Sequence, residues 1–231
     1  MASIGVIKQE QKEEKENLIY KYLYDRVEEF DISLVAHDIF LKDKKIDYTI
    51  YSLICLKAHY MEDEEGNKGN YILDEDVEPE LIAEIVGLSV QTVKRKIKYM
   101  IDIELLKMFD DGRGLAYLIV KNVDGRYFAL IPKSRLIGLV AEAVINNNYK
   151  EFIKTYVYLL CVCYRKPNDL SRSVILEAVG LANNNKQAEK ITKYTTKLQD
   201  LNLISKKRIN KKRLNNGAVE YYSINRYKLI D

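Results

Sequence analysis

The stretch IAEIVGLSVQTVKRKIKYMIDIELLKMF, residues 82–109, decides the fold. It opens with a short apolar helix stopped by Gly87, since glycine just past a helix end is the usual C-terminal stop. Ser89 then has the chemistry of an N-cap. The helix that follows repeats its apolar residues Val93, Ile97 and Met100 at spacings of 3 and 4, which buries one face. Its end, IELLKMF, switches from helix to strand. The same pattern returns in SVILEAVGLANNNKQAEKITKYTTKLQDLNLISKK, residues 173–207, with Gly180 as the stop. Ile191, Thr195, Leu198, Leu201, Leu203 and Ile204 each stand 98 residues after Val93, Ile97, Met100, Ile103, Leu105 and Leu106.

Outward from these segments the repeat continues, and an internal period of this length organises the whole chain. Each copy opens with a short strand and a helix, ISLVAHDIF (Ile32 to Phe40) and FALIPKSRL (Phe128 to Leu136); Leu34, Val35 and Phe40 correspond to Leu130, Ile131 and Leu136. A long apolar helix follows, over Asp47 to Met61 and over Glu151 to Arg165. Each copy closes on a hairpin signal, Asp110-Asp111-Gly112-Arg113-Gly114 in the first and Asn215-Asn216-Gly217 in the second. Strand, helices and a β-hairpin, in that order, predict a winged helix-turn-helix. The expected fold is therefore mainly α with small β wings: two tandem winged helix-turn-helix domains at 31–121 and 122–231. They follow an amphipathic N-terminal segment, 1–30, with Ile19, Leu23, Val27 and Phe30 on one stripe. That stripe suits a helix packed on the first domain, with a dimer contact as the alternative.

Composition narrows the function classes. The 231 residues suit two domains of roughly 100 residues each. No apolar run reaches the roughly 20 residues of a membrane span, and the start carries no export signal pattern. Cys55, Cys161 and Cys163 lie in apolar helical patterns and suit core packing in a reducing cytoplasm better than metal ligation. Net charge is +3, unevenly spread: −2 over residues 1–30, −7 over 31–120 and +12 over 121–231. A strongly basic C-terminal half is the footprint of a polyanion binder, so double-stranded DNA is the expected partner and a nucleoid- or plasmid-associated cytoplasmic location follows.

In a helix-turn-helix the second helix enters the major groove. Burying Val93, Ile97 and Met100 leaves Gln91, Thr92, Lys94, Arg95 and Lys98 to face outward, and no acid occurs from Val86 to Ile101 although the first copy is acidic overall. Arg and Gln read base edges, while Lys mostly positions on phosphate. The second copy offers Lys186, Gln187, Lys190, Lys193 and Lys197, and its wing carries Lys206, Lys207, Arg208, Lys211, Lys212 and Arg213. Such a wing suits the DNA backbone or minor groove. In the first wing Asp110 and Asp111 would repel phosphate, so the second copy should supply most of the affinity, with the first reading some bases or meeting a protein.

Catalytic constellations are missing. His37 and His59 are far apart and form no metal-binding pair, there is no phosphate-binding loop or nucleophile elbow, and Gly66-Asn67-Lys68-Gly69 reads as a polar turn. No enzyme activity, metal or cofactor is expected. The segments ISLVAHDIFLKDKKIDYTIYSLICLKAHY and IAEIVGLSVQTVKRKIKYMIDIELLK resemble the winged-helix region of replication initiators from plasmids and phages of low-GC bacteria. The match rests on Asp43-Lys44-Lys45-Ile46 and on Gly87-Leu88-Ser89-Val90-Gln91-Thr92-Val93, covers roughly residues 31–120, and extends more weakly to the second copy. The two-domain plan is also similar to iteron-binding initiators. The resemblance implies origin recognition and replication initiation, with host replication proteins as further partners; a second copy of the chain, docked through the N-terminal helix or the first domain, is the other partner expected. A transcriptional or copy-number regulator, and a DNA-bound segregation adaptor, remain the alternatives, because one fold serves many uses.

Overall fold

The computed structural model describes residues 4–23, 31–62, 68–110, 115–119, 128–146, 150–215 and 218–230. It is mainly helical with small antiparallel sheets. Helix α1 (Ile4–Tyr22) is followed by strand β1 (Asp31–Val35), the short helix α2 (Asp38–Lys42), helix α3 (Tyr48–Lys57) and strands β2 (His59–Glu62) and β3 (Lys68–Leu73). A 3-10 turn (Asp74–Asp76) leads to α4 (Pro79–Val86) and α5 (Val90–Asp102), and then to β4 (Leu106–Asp110) and β5 (Leu115–Ile119). The second half runs β6 (Phe128–Pro132), α6 (Lys133–Ile145), α7 (Phe152–Cys163), β7 (Asn168–Leu170), α8 (Arg172–Ala178), α9 (Asn185–Asp200), β8 (Ile204–Asn215) and β9 (Ala218–Leu229). Among the described residues no helix is long and apolar enough to cross a membrane.

The repeat seen in the sequence is repeated in the way helices end. Gly87 and Gly180 both adopt the left-handed conformation after α4 and α8, and the N–H groups of Leu88 and Leu181 reach back to the carbonyls of Ala83 and Leu176. After α5 and α9 the left-handed residues are Glu104 and Asn202, 98 positions apart where the two glycines are 93 apart, and Leu105 and Leu203 donate to the carbonyls of Met100 and Leu198. These bonds satisfy carbonyls that a helix end leaves open. The N-caps match too: Ser89 accepts from the N–H of Thr92, and Asn184 from that of Gln187.

Sheets β3-β5-β4 and β7-β9-β8 have the same order. The first half differs by one strand. The expected helix from Asp47 to Met61 stops at Lys57, where Ala58 turns extended, and His59–Glu62 becomes β2, paired antiparallel along the outer side of β3. A helix carried through Met61 would forgo this pairing, which adds the edge strand of a four-stranded sheet. Of the expected turns, Asp111 to Gly114, Asn216 and Gly217 lie outside the described residues, as does the side chain of Asp110.

The halves are joined rather than strung on a linker. Strands β1 and β6, one from each half, pair antiparallel with Ser33 opposite Leu130 and Leu34 opposite Ala129. The repeat equates Ser33 with Ala129 and Leu34 with Leu130, so exchanging the two copies maps this register onto itself. A local pseudo-twofold axis therefore passes through the strand pair, as in an isologous dimer contact. The buried apolar residues form one cluster from Ile19 to Tyr227 across both halves. In the N-terminal segment, Ile19, Tyr22 and Leu23 are buried in that cluster, and α1 packs mainly on α6 of the second half and less on α4, rather than on the first half alone as expected; Val27 and Phe30 lie outside the described residues.

Lys154 is a buried charge where the halves meet. Lys154 of α7 is 2% exposed, and its ammonium donates to the carbonyl of Asp43 at 2.6 Å. Burial pulls this lysine down to about 8, against the opposing pull of Glu151, Asp43 and Asp47. The unfolded chain, with Lys154 near 10.5, then holds its proton over a pH range in which the folded chain has released it. Stability contributed at this site rises with pH wherever the unfolded state binds more protons. Relative to Lys154→Met, the wild type should gain up to about 3 kcal/mol between pH 8 and 10.5. Denaturant titrations of both proteins at pH 7.5 and 10 measure the gap; the shared cysteines and tyrosines cancel in the comparison. A gap that does not move with pH would refute the buried-charge account.

Candidate nucleic-acid interface

The two pairs α4–α5 and α8–α9 present their second helices differently. On α5, Val93, Ile97 and Met100 are buried and Gln91, Lys94, Arg95 and Lys98 are exposed, as the periodicity predicts. Thr92 turns back instead into the cap: its hydroxyl lies 2.8 Å from the Ser89 hydroxyl. Lys94 reaches Glu80 of α4 at 3.2 Å with both side chains well exposed, a surface pair of small energetic weight that an anion can displace. Lys96 is drawn to Asp47, the N-cap of α3, at 3.2 Å.

On α9 only part of the expected basic row faces outward. Lys186 and Lys193 are exposed. Lys190 instead lies 2.6 Å from Glu151, which also accepts from the Tyr194 hydroxyl at 3.1 Å, and Lys197 pairs at 2.9 Å with Glu142, itself 2% exposed. Gln187 is half-buried, and its side-chain oxygen is buried without a hydrogen-bond partner. The outward face of α9 is therefore Lys186, Glu189, Thr192, Lys193 and Thr196. The 98-residue offset carried this signal: it equates Lys190 and Lys197 with Thr92 and Tyr99, both half-buried on α5.

The hairpin β8–β9 has two chemically distinct faces, because side chains alternate along a strand. On one face Asp169 of β7 binds Arg226 through two bonds of 2.7 and 3.0 Å and Lys211 at 2.7 Å, while Arg213 pairs with Glu220 at 2.7 Å. These contacts hold the Asp169 carboxyl far below the usual carboxylate range. Lys207 shares this face and is exposed. Lys206 and Arg208 are on the other face, with Lys212 further along it. The Lys206 ammonium donates to the hydroxyls of Thr195 (3.2 Å) and Thr196 (3.0 Å), neither of which offsets its charge, and partial burial lowers its pKa.

This second face forms one wall of a cleft of about 580 Å³ against the start of α8 and the turn into α9. Its polar lining includes Ser171, Arg172, Asn184, Thr192, Lys206 and Arg208, and no carboxylate belongs to it. Arg172 donates to Thr192 at 3.4 Å and so lies beside the exposed face of α9. Sequence reasoning missed Arg172 and Thr192: they line one cleft with Arg208 only because β9 pairs with both β8 and β7. Among the described residues no group of three or more His, Cys, Asp or Glu side chains could hold a metal ion. No family model matches the chain, and neither the curated proteins nor the solved structures yield a match.

Proposed function

We propose that the chain is a sequence-specific duplex-DNA-binding protein made of two tandem winged helix-turn-helix units, and that it acts at the replication origin of a plasmid or phage. The observation that carries DNA binding is the carboxylate-free cleft, with Arg172, Lys206 and Arg208 converging beside the exposed face of α9. Cations that form no ion pair with a carboxylate among the described residues suit phosphate, since each neutralised phosphate releases condensed counterions. The exposed Gln91 and Arg95 of α5 have the chemistry of base readers. Replication initiation is supported by the resemblance at Asp43–Ile46 and Gly87–Val93. The β1–β6 pseudo-dyad supports a single chain engaging two half-sites, one per unit.

Selection from random duplexes followed by footprinting tests this reading. One chain should protect about 20 base pairs, two adjacent major-groove faces one helical turn apart. The half-sites should differ, because α5 exposes Gln91, Lys94, Arg95 and Lys98 where α9 exposes Glu189, Thr192, Lys193 and Thr196. A palindrome bound by two chains, with the first half off the DNA, would overturn the tandem arrangement. Sites found as direct repeats beside an AT-rich stretch that melts on binding would establish initiation, whereas a site overlapping a promoter would make the protein a regulator.

A further inference from the structure

The stretch Asp43-Lys44-Lys45-Ile46 is the hub of a polar bridge that crosses from one half to the other. Asp43 ends α2, and one of its carboxylate oxygens accepts the Lys45 N–H at 2.8 Å. The other accepts the Tyr99 hydroxyl of α5 at 2.5 Å, and the Lys45 ammonium sits over the Tyr99 ring at 5.3 Å. The Asp43 carbonyl accepts from Lys154 of α7 at 2.6 Å. On the far side, Glu151 begins α7 and holds Lys190 and Tyr194 of α9. On the near side, Asp47 begins α3 and holds Lys96 of α5. Both outward-facing helices are thus tied to a carboxylate at the start of their own half's long helix, and Lys154 joins the two assemblies.

A buried ammonium is a poor way to add stability, because desolvation opposes its attraction to nearby charges and apolar residues of similar volume often do as well or better. Its bond forms in only one geometry. Lys154 reaches a backbone carbonyl of the other half, over the Tyr48 ring at 5.3 Å, so sliding or rotating one half against the other would strand a buried charge. We propose that Lys154 and Asp43 are positioning residues: their contact fixes the phase of α5 relative to α9, so that two DNA half-sites are read at one spacing. The proposal rests on the DNA-binding reading for its purpose, but the clamp itself is measurable without DNA.

Two experiments on the full chain decide it. In the first, spin labels are placed on α5 and α9 at positions 98 and 193 through non-natural ketone side chains, leaving the native cysteines untouched. The distance distribution should be narrow in the wild type and distinctly broader in Lys154→Met. In the second, the selected duplex is rebuilt with one to five base pairs inserted at its centre. Wild-type affinity should fall at least tenfold with the insertion. Lys154→Met should lose less than a third as much, while binding each isolated half-site as the wild type does. Should Lys154→Met fail to fold, Tyr99→Phe cuts the α5 arm of the bridge at a half-buried position and is expected to relax both readouts in the same direction. Unchanged distance distributions, or a spacing profile identical to wild type, would overturn the clamp. Broadened distributions in a protein that enriches no duplex would uphold the clamp and remove the DNA reading.

Discussion

Neutralising the cleft face of the β8–β9 hairpin should weaken duplex binding far more than neutralising its other face. In Arg172→Gln/Lys206→Gln/Arg208→Gln, three cations that form no ion pair with a carboxylate among the described residues are lost from one cleft. If each meets a phosphate, the slope of log affinity against log salt should become shallower by about 2.7, that is about 0.9 per contact. A change of that size removes on the order of 10²–10³ in affinity at moderate salt, on cognate and random duplex alike. The control is Lys211→Gln/Arg213→Gln. These two cations are already engaged by Asp169 and Glu220, so the slope should change by well under one. The control also takes one cation from beside Glu220 and one from Asp169, which keeps Arg226, and this bounds its effect from the side of added repulsion. Affinity measured by fluorescence anisotropy from 50 to 300 mM salt separates the two faces; equal slopes for both variants would sink the assignment of the cleft to the DNA backbone.

That contrast was only half legible in the sequence. The density of Lys and Arg on the hairpin was plain, and so was the hairpin, because strand alternation and turn residues are local signals. Which cations stay uncompensated depends on Asp169, Glu151 and Glu142, each placed by long-range packing. Asp169 meets Lys211 only because β7 joins the edge of β9, more than 50 residues later in the chain. The helices and their caps were legible for the opposite reason: Val93, Ile97 and Met100, Ser89 and Gly87 act within a few residues of one another. The strand β2 was illegible because HYME continues the apolar helical run before it and becomes a strand only where Lys68–Leu73 lies alongside it. The β1–β6 pair was hidden in the same way, although its symmetric register follows from the repeat once the pairing is known.

Gly87 and Gly180 show how far two identical local signals can diverge. Both stop a helix and both are left-handed, with φ of 67° and 71°. A Cβ built on Gly87 would meet nothing within 4 Å. On Gly180 it would lie 2.1 Å from the carbonyl oxygen of Lys42, and 2.8 and 2.9 Å from that residue's carbonyl carbon and Cα. These are backbone atoms at the end of α2, in the other half, and no rotamer change can move them aside. Gly87→Ala should therefore cost only the left-handed strain of an L-residue, about 1–2 kcal/mol, and Gly87→Asn less, because asparagine tolerates that region. Gly180→Ala carries the same strain and must also push α8 away from α2, an overpacking term of about 1–3 kcal/mol or more. Its total, about 2–5 kcal/mol, is a large part of the 5–15 kcal/mol that holds a typical domain folded. Chemical denaturation of the three variants gives the ranking directly. The expected order of destabilisation is Gly180→Ala, then Gly87→Ala, then Gly87→Asn. If Gly180→Ala proved no worse than Gly87→Ala, the close approach of α8 to Lys42 would be wrong, and with it the docking of the second half against α2.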